Sequence, residues 1–349
     1  MGANDHSMKI KLYTCGGEHK SGPSELPLGI GYLKSNCDAD ISIVTSREDL
    51  IGCDLIGLSS VAHGIPEALE ILAATDIPVI IGGQATLWPD LDDHDRFPFE
   101  AVCCGEGELW LADFLNVSCA YDGQNIDTLT FPFRGECQEA IPILTSRGCP
   151  FKCRNCSSSA FWGRPRWHSP EYVIEDILAA ATEWPDATEI YIQDDLFFAN
   201  KKRLRAIHEL WLAHGLQKRF SARGFTRADC FDYEMALMMQ TMNFRHVRFG
   251  AESGSDRILK WLGKGTTVAQ NQKVVDICEQ VGLKCIASFM YDYPIEEEED
   301  REATRQFFVK NRDKMEVGGS YRFRPLPGTA CYNGEDPREF DMRIRESRP

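Results

Sequence analysis

The 349-residue sequence predicts an α/β protein in two parts, an N-terminal flavodoxin-like (Rossmann-like) doubly wound sheet followed by a partial (β/α)6 barrel. Three observations carry that expectation. Before about residue 120, short apolar runs alternate with amphipathic stretches and end in small residues. Beyond about residue 140, the helical stretches lengthen and the strand–helix unit recurs about six times. Between them, 121–139 is polar and Gly/Asp-rich, contains Pro132, and is expected to link the two domains.

The first domain is expected over 8–120. Lys9 to Thr14 is a β-like run followed by Cys15-Gly16-Gly17. Leu26 to Leu33 begins a helix with Pro27 in its first turn, where a missing N–H costs little. Asp40 to Val44 and Asp54 to Ser59 are strands, the second apolar throughout as in buried parallel sheets. Ile65 to Ala74 is an amphipathic helix, and Ile77 to Ile81 and Phe99 to Cys103 are further strands. A last helix runs through Leu115. Ligands of such sheets bind beyond the strands' carboxyl ends. Those ends carry Gly16-Gly17, Ser59-Ser60, Gly82-Gly83 and Gly105-Glu106-Gly107-Glu108. Small residues there let a large planar or phosphate-bearing ligand approach the backbone amides. No G-x-G-x-x-G follows the first strand, which argues against a nicotinamide cofactor.

The second domain is expected over 140–332. Ile141 to Leu144 is a strand leading into Ser146-Arg147-Gly148-Cys149-Pro150-Phe151-Lys152-Cys153-Arg154-Asn155-Cys156. Three thiols in C-x3-C-x2-C spacing suit a soft metal or an iron–sulfur cluster better than a single nucleophile. Three ligands leave one metal position open, as catalysis needs. Pro170 to Glu183 is a helix with Ser169 as its N-cap. Strands follow at Glu189 to Gln193, Phe220 to Phe225, His246 to Gly250, Lys284 to Met290 and Gly319 to Arg324. Helices are expected at Lys201 to His214, Tyr233 to Met242, Thr267 to Val281 and Pro294 to Asn311. The acidic run Glu296 to Asp300 complements the positive end of that last helix.

Composition narrows the function classes. A net charge of −15 argues against a general nucleic-acid binder, since phosphate neutralisation needs a basic surface. No apolar run approaches the roughly 20 residues of a membrane span. Residues 1–7 have the look of an expression remnant ahead of Met8, and 333–349 of a polar tail. Fourteen cysteines without a secretion signal point to a reducing, cytoplasmic setting. Only Cys149, Cys153 and Cys156 share a short-range ligand spacing.

From Cys149, Cys153 and Cys156 through about 190 residues, the chain resembles the radical SAM enzymes. Further matches are Ile190-Tyr191-Ile192-Gln193-Asp194-Asp195-Leu196-Phe197 and Phe249-Gly250-Ala251-Glu252-Ser253-Gly254-Ser255-Asp256, followed by Lys264-Gly265. The resemblance implies a [4Fe–4S] cluster held by the three cysteines, with S-adenosyl-L-methionine (SAM) on the fourth iron. It implies that Asp194 or Asp195 holds the SAM amino group and that Arg223 or Arg227 pairs with its carboxylate. Glu252 and Ser253 would serve the ribose and carboxylate. Two departures are notable. Asn155 stands where an aromatic residue usually precedes the third cysteine, leaving Phe151, Phe161 or Trp162 to supply that cover. Tyr291-Asp292-Tyr293 replaces a glycine-rich strand end, making Tyr291 and Asp292 candidate catalytic, substrate-facing residues.

The first domain resembles the cobalamin-binding domain that precedes such barrels. Pro27-Leu28-Gly29-Ile30-Gly31-Tyr32-Leu33, Val79-Ile80-Ile81-Gly82-Gly83 and Val102-Cys103-Cys104-Gly105-Glu106-Gly107-Glu108 carry the likeness. It implies that Pro27, Gly29, Ser59, Ser60, Gly82, Gly83, Gly105, Glu106 and Gly107 line a corrin site. The D-x-H-x-x-G signature that supplies a histidine to cobalt is absent, and His63 is the loop histidine able to approach a cofactor there. Together the resemblances imply a cobalamin-dependent radical SAM enzyme, foremost a methyltransferase acting on an unactivated carbon through a 5′-deoxyadenosyl radical and methylcobalamin. They imply a flavodoxin- or ferredoxin-type reductant and leave the substrate unspecified. Rearrangement or cyclisation is an alternative outcome. A methylthiotransferase with a second cluster on Cys15, Cys37 and Cys53 is another, and a non-enzymatic corrinoid or electron-transfer protein a third.

Overall fold

A computed structural model of the chain describes residues 8–16, 26–136 and 138–336. Gly17, Cys137, the 1–7 segment and most of the expected tail lie outside the described residues. The chain divides into two compact units. Among the described residues the first comprises 8–136, 160–162 and 326–336, and the second comprises 138–159 and 163–325.

In the first unit, β1 (Lys9–Cys15), α1 (Leu28–Asn36), β2 (Asp40–Ile43), β3 (Leu55–Ser60), α2 (Ile65–Ala73), β4 (Val79–Gly82), β5 (Ala101–Val102) and α3 (Gly107–Leu115) follow in order. The strands form one parallel sheet in the order β2-β1-β3-β4-β5, the flavodoxin-like arrangement expected above. Alternation along the strands supplies both faces. Ile10, Leu12, Leu55 and Ile80 pack with Ile30 of α1 and Leu111 of α3. Tyr13, Ile56, Leu58, Val79 and Ile81 pack on the other face with Ile65, Ala68 and Ile71 of α2.

Two expected boundaries move. The 121–136 stretch is not a free linker but is fastened to α1. Asn36 accepts from the Thr130 amide at 2.8 Å and donates to the Thr130 carbonyl at 3.1 Å. Phe133 donates its amide to the Gly31 carbonyl at 3.2 Å, an approach that any side chain at Gly31 would block. The barrel domain likewise ends before 332. Leu326 and Tyr332 join the second core of the first unit, where Tyr332 meets Trp88 edge-on at 5.5 Å. Arg96 pairs with Asp336 at 2.8 Å, so the start of the expected tail is fixed. Apolar side chains on an otherwise polar segment are the cause.

The second unit carries β6 (Ala140–Ile143), β7 (Ser146–Arg147), α4 (Ser158–Trp162, shared with the first unit), β8 (Arg166–Trp167), α5 (Pro170–Glu183), β9 (Glu189–Ile192), α6 (Lys201–Ala213), α7 (Leu216–Arg219), β10 (Ser221–Arg223), β11 (Phe225–Thr226), α8 (Tyr233–Thr241), β12 (His246–Glu252), α9 (Asp256–Trp261), α10 (Val268–Val281), β13 (Lys284–Tyr291), α11 (Glu298–Asn311) and β14 (Met315–Arg322). Parallel sheets form in the orders β6-β9-β10 and β11-β12-β13-β14, while β7 and β8 make a short antiparallel hairpin. Strand and helix alternate as a partial (β/α)6 barrel requires. Ile190, Ile192, Ala222, Val247, Phe249, Ala251, Cys285, Ala287 and Phe289 point to the helices and form the main core.

The expected strand from Phe220 to Phe225 is interrupted at Gly224, and its halves join different sheets. The helix expected from Pro294 begins only at Glu298, because Glu297 caps it and Asp300 returns a bond to the Glu297 amide at 2.9 Å.

Candidate functional site

The cysteine loop is anchored at its base before it is shaped by its cysteines. Asp194, just past β9, is buried and accepts from the amide and hydroxyl of both Thr145 and Ser146. Arg203 of α6 donates to the carbonyls of His168 and Thr145, each at 2.7 Å. Burial raises the Asp194 carboxyl above the ordinary carboxylate range, against the opposing pull of Arg203 and the hydroxyls. Its two oxygens are thus committed to the chain. Asp194, expected to receive the SAM amino group, here clamps the chain where it enters the loop.

Asp195 frames the same loop. Its carboxylate accepts from Ser158 at 2.7 Å and from the Gly148 amide, on either side of the cysteines. Desolvation raises it and those two bonds lower it, with a net upward shift. Gly148 takes φ +83°, the left-handed turn that starts the loop. Desolvation also raises the Cys149 thiol and holds Cys156 at about 11, with Asp195 and Cys153 adding to both. The three sulfurs therefore share one electrostatic neighbourhood. Among the described residues no three His, Cys, Asp or Glu side chains converge on a single-ion site. A cubane spreads its cysteines over separate irons, so this soft, all-sulfur donor set fits a cluster.

The far side of the loop is held by the segment after α9. Arg154 donates its amide to the Leu262 carbonyl at 2.8 Å, and its guanidinium lies 5.1 Å from the Trp261 ring centroid. Arg227, after β11, reaches the loop directly. Its Nη1 donates to Cys153 Sγ at 3.1 Å, and its Nε donates to Asp229 at 2.7 Å. Phe151 lies flat against the guanidinium at 3.8 Å, which occupies one of the aromatic residues expected to cover a cofactor. Phe161 and Trp162 pack edge-on against each other.

Arg223 does not join this group. It stacks on Tyr191 at 3.8 Å and pairs with Glu189 at 2.9 Å, whereas Arg227 is the arginine that reaches the cysteine loop. Glu252 sits at a bulge in β12 with φ +65° and pairs with Lys264 at 2.6 Å, both largely buried. Its carboxylate and the Lys264 ammonium fold over Gly250, where a side chain would have to displace them. Ser253 is 1% exposed; its hydroxyl accepts from the Ser255 amide and bonds Thr304 at 3.2 Å. These bonds lock the turn that carries Ser253, expected to serve the ribose and carboxylate, onto α11.

Asp292 has φ +60°, donates its amide to Glu296 at 2.7 Å and turns its carboxylate to Arg322 at 3.1 Å. Tyr291 shares strand parity with Phe289, which faces the helix core. Thr145, Arg203 and Leu262 are the supporting residues that the sequence left without a role. The best signal available was Arg203, a charge on the apolar stripe shared by Leu204 and Ile207.

At the carboxyl edge of the first unit's sheet, the small residues have two uses. Gly83 (φ +85°) brings its Cα against the Ser60 backbone, and Gly16 (φ +75°) lies against Gly64. Gly29 and Gly105 instead face open space, Gly105 at φ +104°. Pro27 caps α1 and, like Gly29, lies on its exposed face. Ser59, Gly82, Glu106 and Gly107 are half-buried, whereas Ser60 is buried with its hydroxyl on the Val61 carbonyl. His63 Nε2 lies 2.7 Å from the Gly16 carbonyl and is committed there. Cys15 ends β1 and pairs with Ser60, whereas Cys53 precedes Leu55, the partner of Ile10. Five strand steps separate those levels, roughly 17 Å, so Cys15 and Cys53 stand too far apart to share a second cluster.

An architecture of this kind, with an all-sulfur loop at the entrance to a parallel α/β barrel, defines a radical SAM protein. The chain belongs to the radical SAM superfamily, whose family model matches residues 143–308. Its members use a [4Fe–4S] cluster and SAM and require a reductant. The chain is 30% identical to an uncharacterized methyltransferase of Pyrococcus horikoshii, over 88% of this chain and 77% of that one. Among solved structures it resembles the radical SAM methyltransferase TsrM of Kitasatospora setae (TM-score 0.73, 18% identity, 93% of this chain and 75% of that one). It also resembles the cobalamin-dependent enzyme OxsB (TM-score 0.72, 19% identity, 89% of this chain), of whose length it spans about half, 53%. Among the described residues no helix is long and apolar enough to cross a membrane.

Proposed function

We propose that the protein is a cobalamin-dependent radical SAM methyltransferase acting on an unactivated carbon. The observation that carries this is the pairing within one chain of a β2-β1-β3-β4-β5 sheet, its carboxyl edge opened at Gly29 and Gly105, with a thiol loop clamped by Asp194 and Asp195. Cys149, Cys153 and Cys156 would hold the cluster. Arg227 and the Glu252–Lys264 pair are the charged groups placed to orient SAM. When bound, the cluster and SAM supply the 5′-deoxyadenosyl radical and the corrin supplies the methyl group.

The chain's own part is positional. Asp194 and Arg203 fix the loop's entry, Leu262 fixes its exit side, and Phe151 shields one face of Arg227. The small residues at the sheet edge, with Ser59, Gly82, Glu106 and Gly107, would cradle the corrin, while His63 is engaged with the Gly16 carbonyl. A flavodoxin- or ferredoxin-type protein in the cytoplasm would supply the electron. Reconstitution with iron, sulfide and cobalamin, followed by SAM and a strong reductant, tests the proposal. Formation of both 5′-deoxyadenosine and S-adenosylhomocysteine supports it; deoxyadenosine with no retained corrin removes the cobalamin part.

A further inference from the structure

We propose that Arg227 sets the reduction potential of the cluster and that Asp229 opposes it. Arg227 is 6% exposed, and each of its nitrogens has a distinct place. Nη1 donates to the sulfur of Cys153, the middle ligand of the loop, at 3.1 Å. Nε donates to Asp229 at 2.7 Å. Nη2 is buried with no partner, although buried donors are nearly always paired. Phe151 covers one face of the guanidinium and keeps water from it. Against its burial, Asp229 and Cys153 hold the guanidinium above its already high ordinary value, so it stays charged.

A cluster gains one negative charge when it takes up an electron, with no bond made or broken at the chain. A cation and a hydrogen bond on a ligating sulfur stabilise that reduced form and make the potential less negative. The effect is large where the cation is buried, because little solvent screens it. Asp229, with its side chain 20% exposed, cancels part of the field while fixing the direction of the guanidinium. Arg227 thus brings the cluster within reach of a weaker donor, and Asp229 limits how far. Nη2 remains available for an anionic group beside the cluster.

The inference rests on the cluster assignment alone, not on the corrin or on methyl transfer. The test is an EPR-monitored redox titration of the anaerobically reconstituted full chain, with iron content measured for each variant. R227M is expected to shift the midpoint to more negative potential, R227K to stay near wild type, and D229N to shift it to less negative potential. Opposite signs from two touching residues are not produced by a general loosening of the loop. Equal midpoints for R227M, D229N and wild type would overturn the proposal, as would shifts of the same sign. If R227M does not retain its cluster, D229N and R227K decide the matter. Loss of S-adenosylhomocysteine formation with the shifts intact would count against methyl transfer and leave this inference standing.

Discussion

Asp194 accepts four hydrogen bonds from two consecutive residues, the amide and hydroxyl of Thr145, both at 2.6 Å, and those of Ser146 at 3.2 and 2.6 Å. One carboxylate therefore fixes the direction in which the chain leaves β6 for the cysteine loop. Removing it leaves buried donors unpaired, each costly. D194A is expected to lower stability by roughly 3 kcal/mol, and D194N, which keeps one acceptor oxygen, by less. Anaerobic thermal unfolding measures this. A D194A melting temperature equal to wild type would mean that the clamp holds nothing.

Glu252 and Lys264 form a largely buried pair at 2.6 Å. Breaking one side leaves a stranded charge, whereas removing both does not. K264M is expected to destabilise by about 3 kcal/mol and the K264M/E252Q double variant by less than the sum of the single ones. SAM affinity should fall in all three. Additive losses, with affinity unchanged, would separate the pair from the site.

Cys15 ends β1, Cys37 follows the end of α1 and Cys53 precedes β3, and burial pushes Cys37 up to about 12, away from thiolate. Reconstituted protein should carry the iron of one cluster per chain. C37A and C53A should retain it, while the combined alanine variant of Cys149, Cys153 and Cys156 loses it. Iron analysis showing a second cluster lost in C53A would restore the methylthiotransferase alternative.

His246 at the start of β12 accepts from Arg248 Nε at 2.9 Å, which requires a neutral imidazole. Burial, then Arg248, Lys284, Arg223 and Arg245, push its pKa down from 6.5 to about 4. Between those values the unfolded chain binds the proton and the folded chain does not. Stability from this group is therefore complete above pH 6.5 and falls as the pH drops towards 4. H246Q keeps an acceptor and removes the titration. It should recover about 1–2 kcal/mol of the acid-side loss, allowing for solvent screening, in denaturation curves taken at pH 7 and 4.5. Parallel pH profiles for H246Q and wild type would contradict it.

Much of this was legible in the sequence, because period and punctuation report directly on strands and helices. The strand–helix alternation of the first sheet followed from five short apolar runs ending in small residues. Ser169 was identified as a cap, and it accepts from the Tyr172 amide at 3.1 Å. The site was legible in kind but not in detail. An Asp-Asp pair at a strand end cannot reveal that Asp194 faces Thr145 while Asp195 faces Ser158, since strand parity and burial decide it. Arg223 and Arg227 looked equivalent until the break at Gly224 left Arg223 in β10 and Arg227 just past β11, which joins another sheet. Leu326 and Tyr332 were hidden in a polar segment, because their partners lie far back in sequence.

The central claim is that the loop from Cys149 to Cys156 holds a cluster that cleaves SAM reductively. It is tested most directly by measuring 5′-deoxyadenosine from SAM and a strong reductant, in wild type and in C153A. The account predicts deoxyadenosine from wild type and none from C153A. Equal deoxyadenosine from C153A would contradict it.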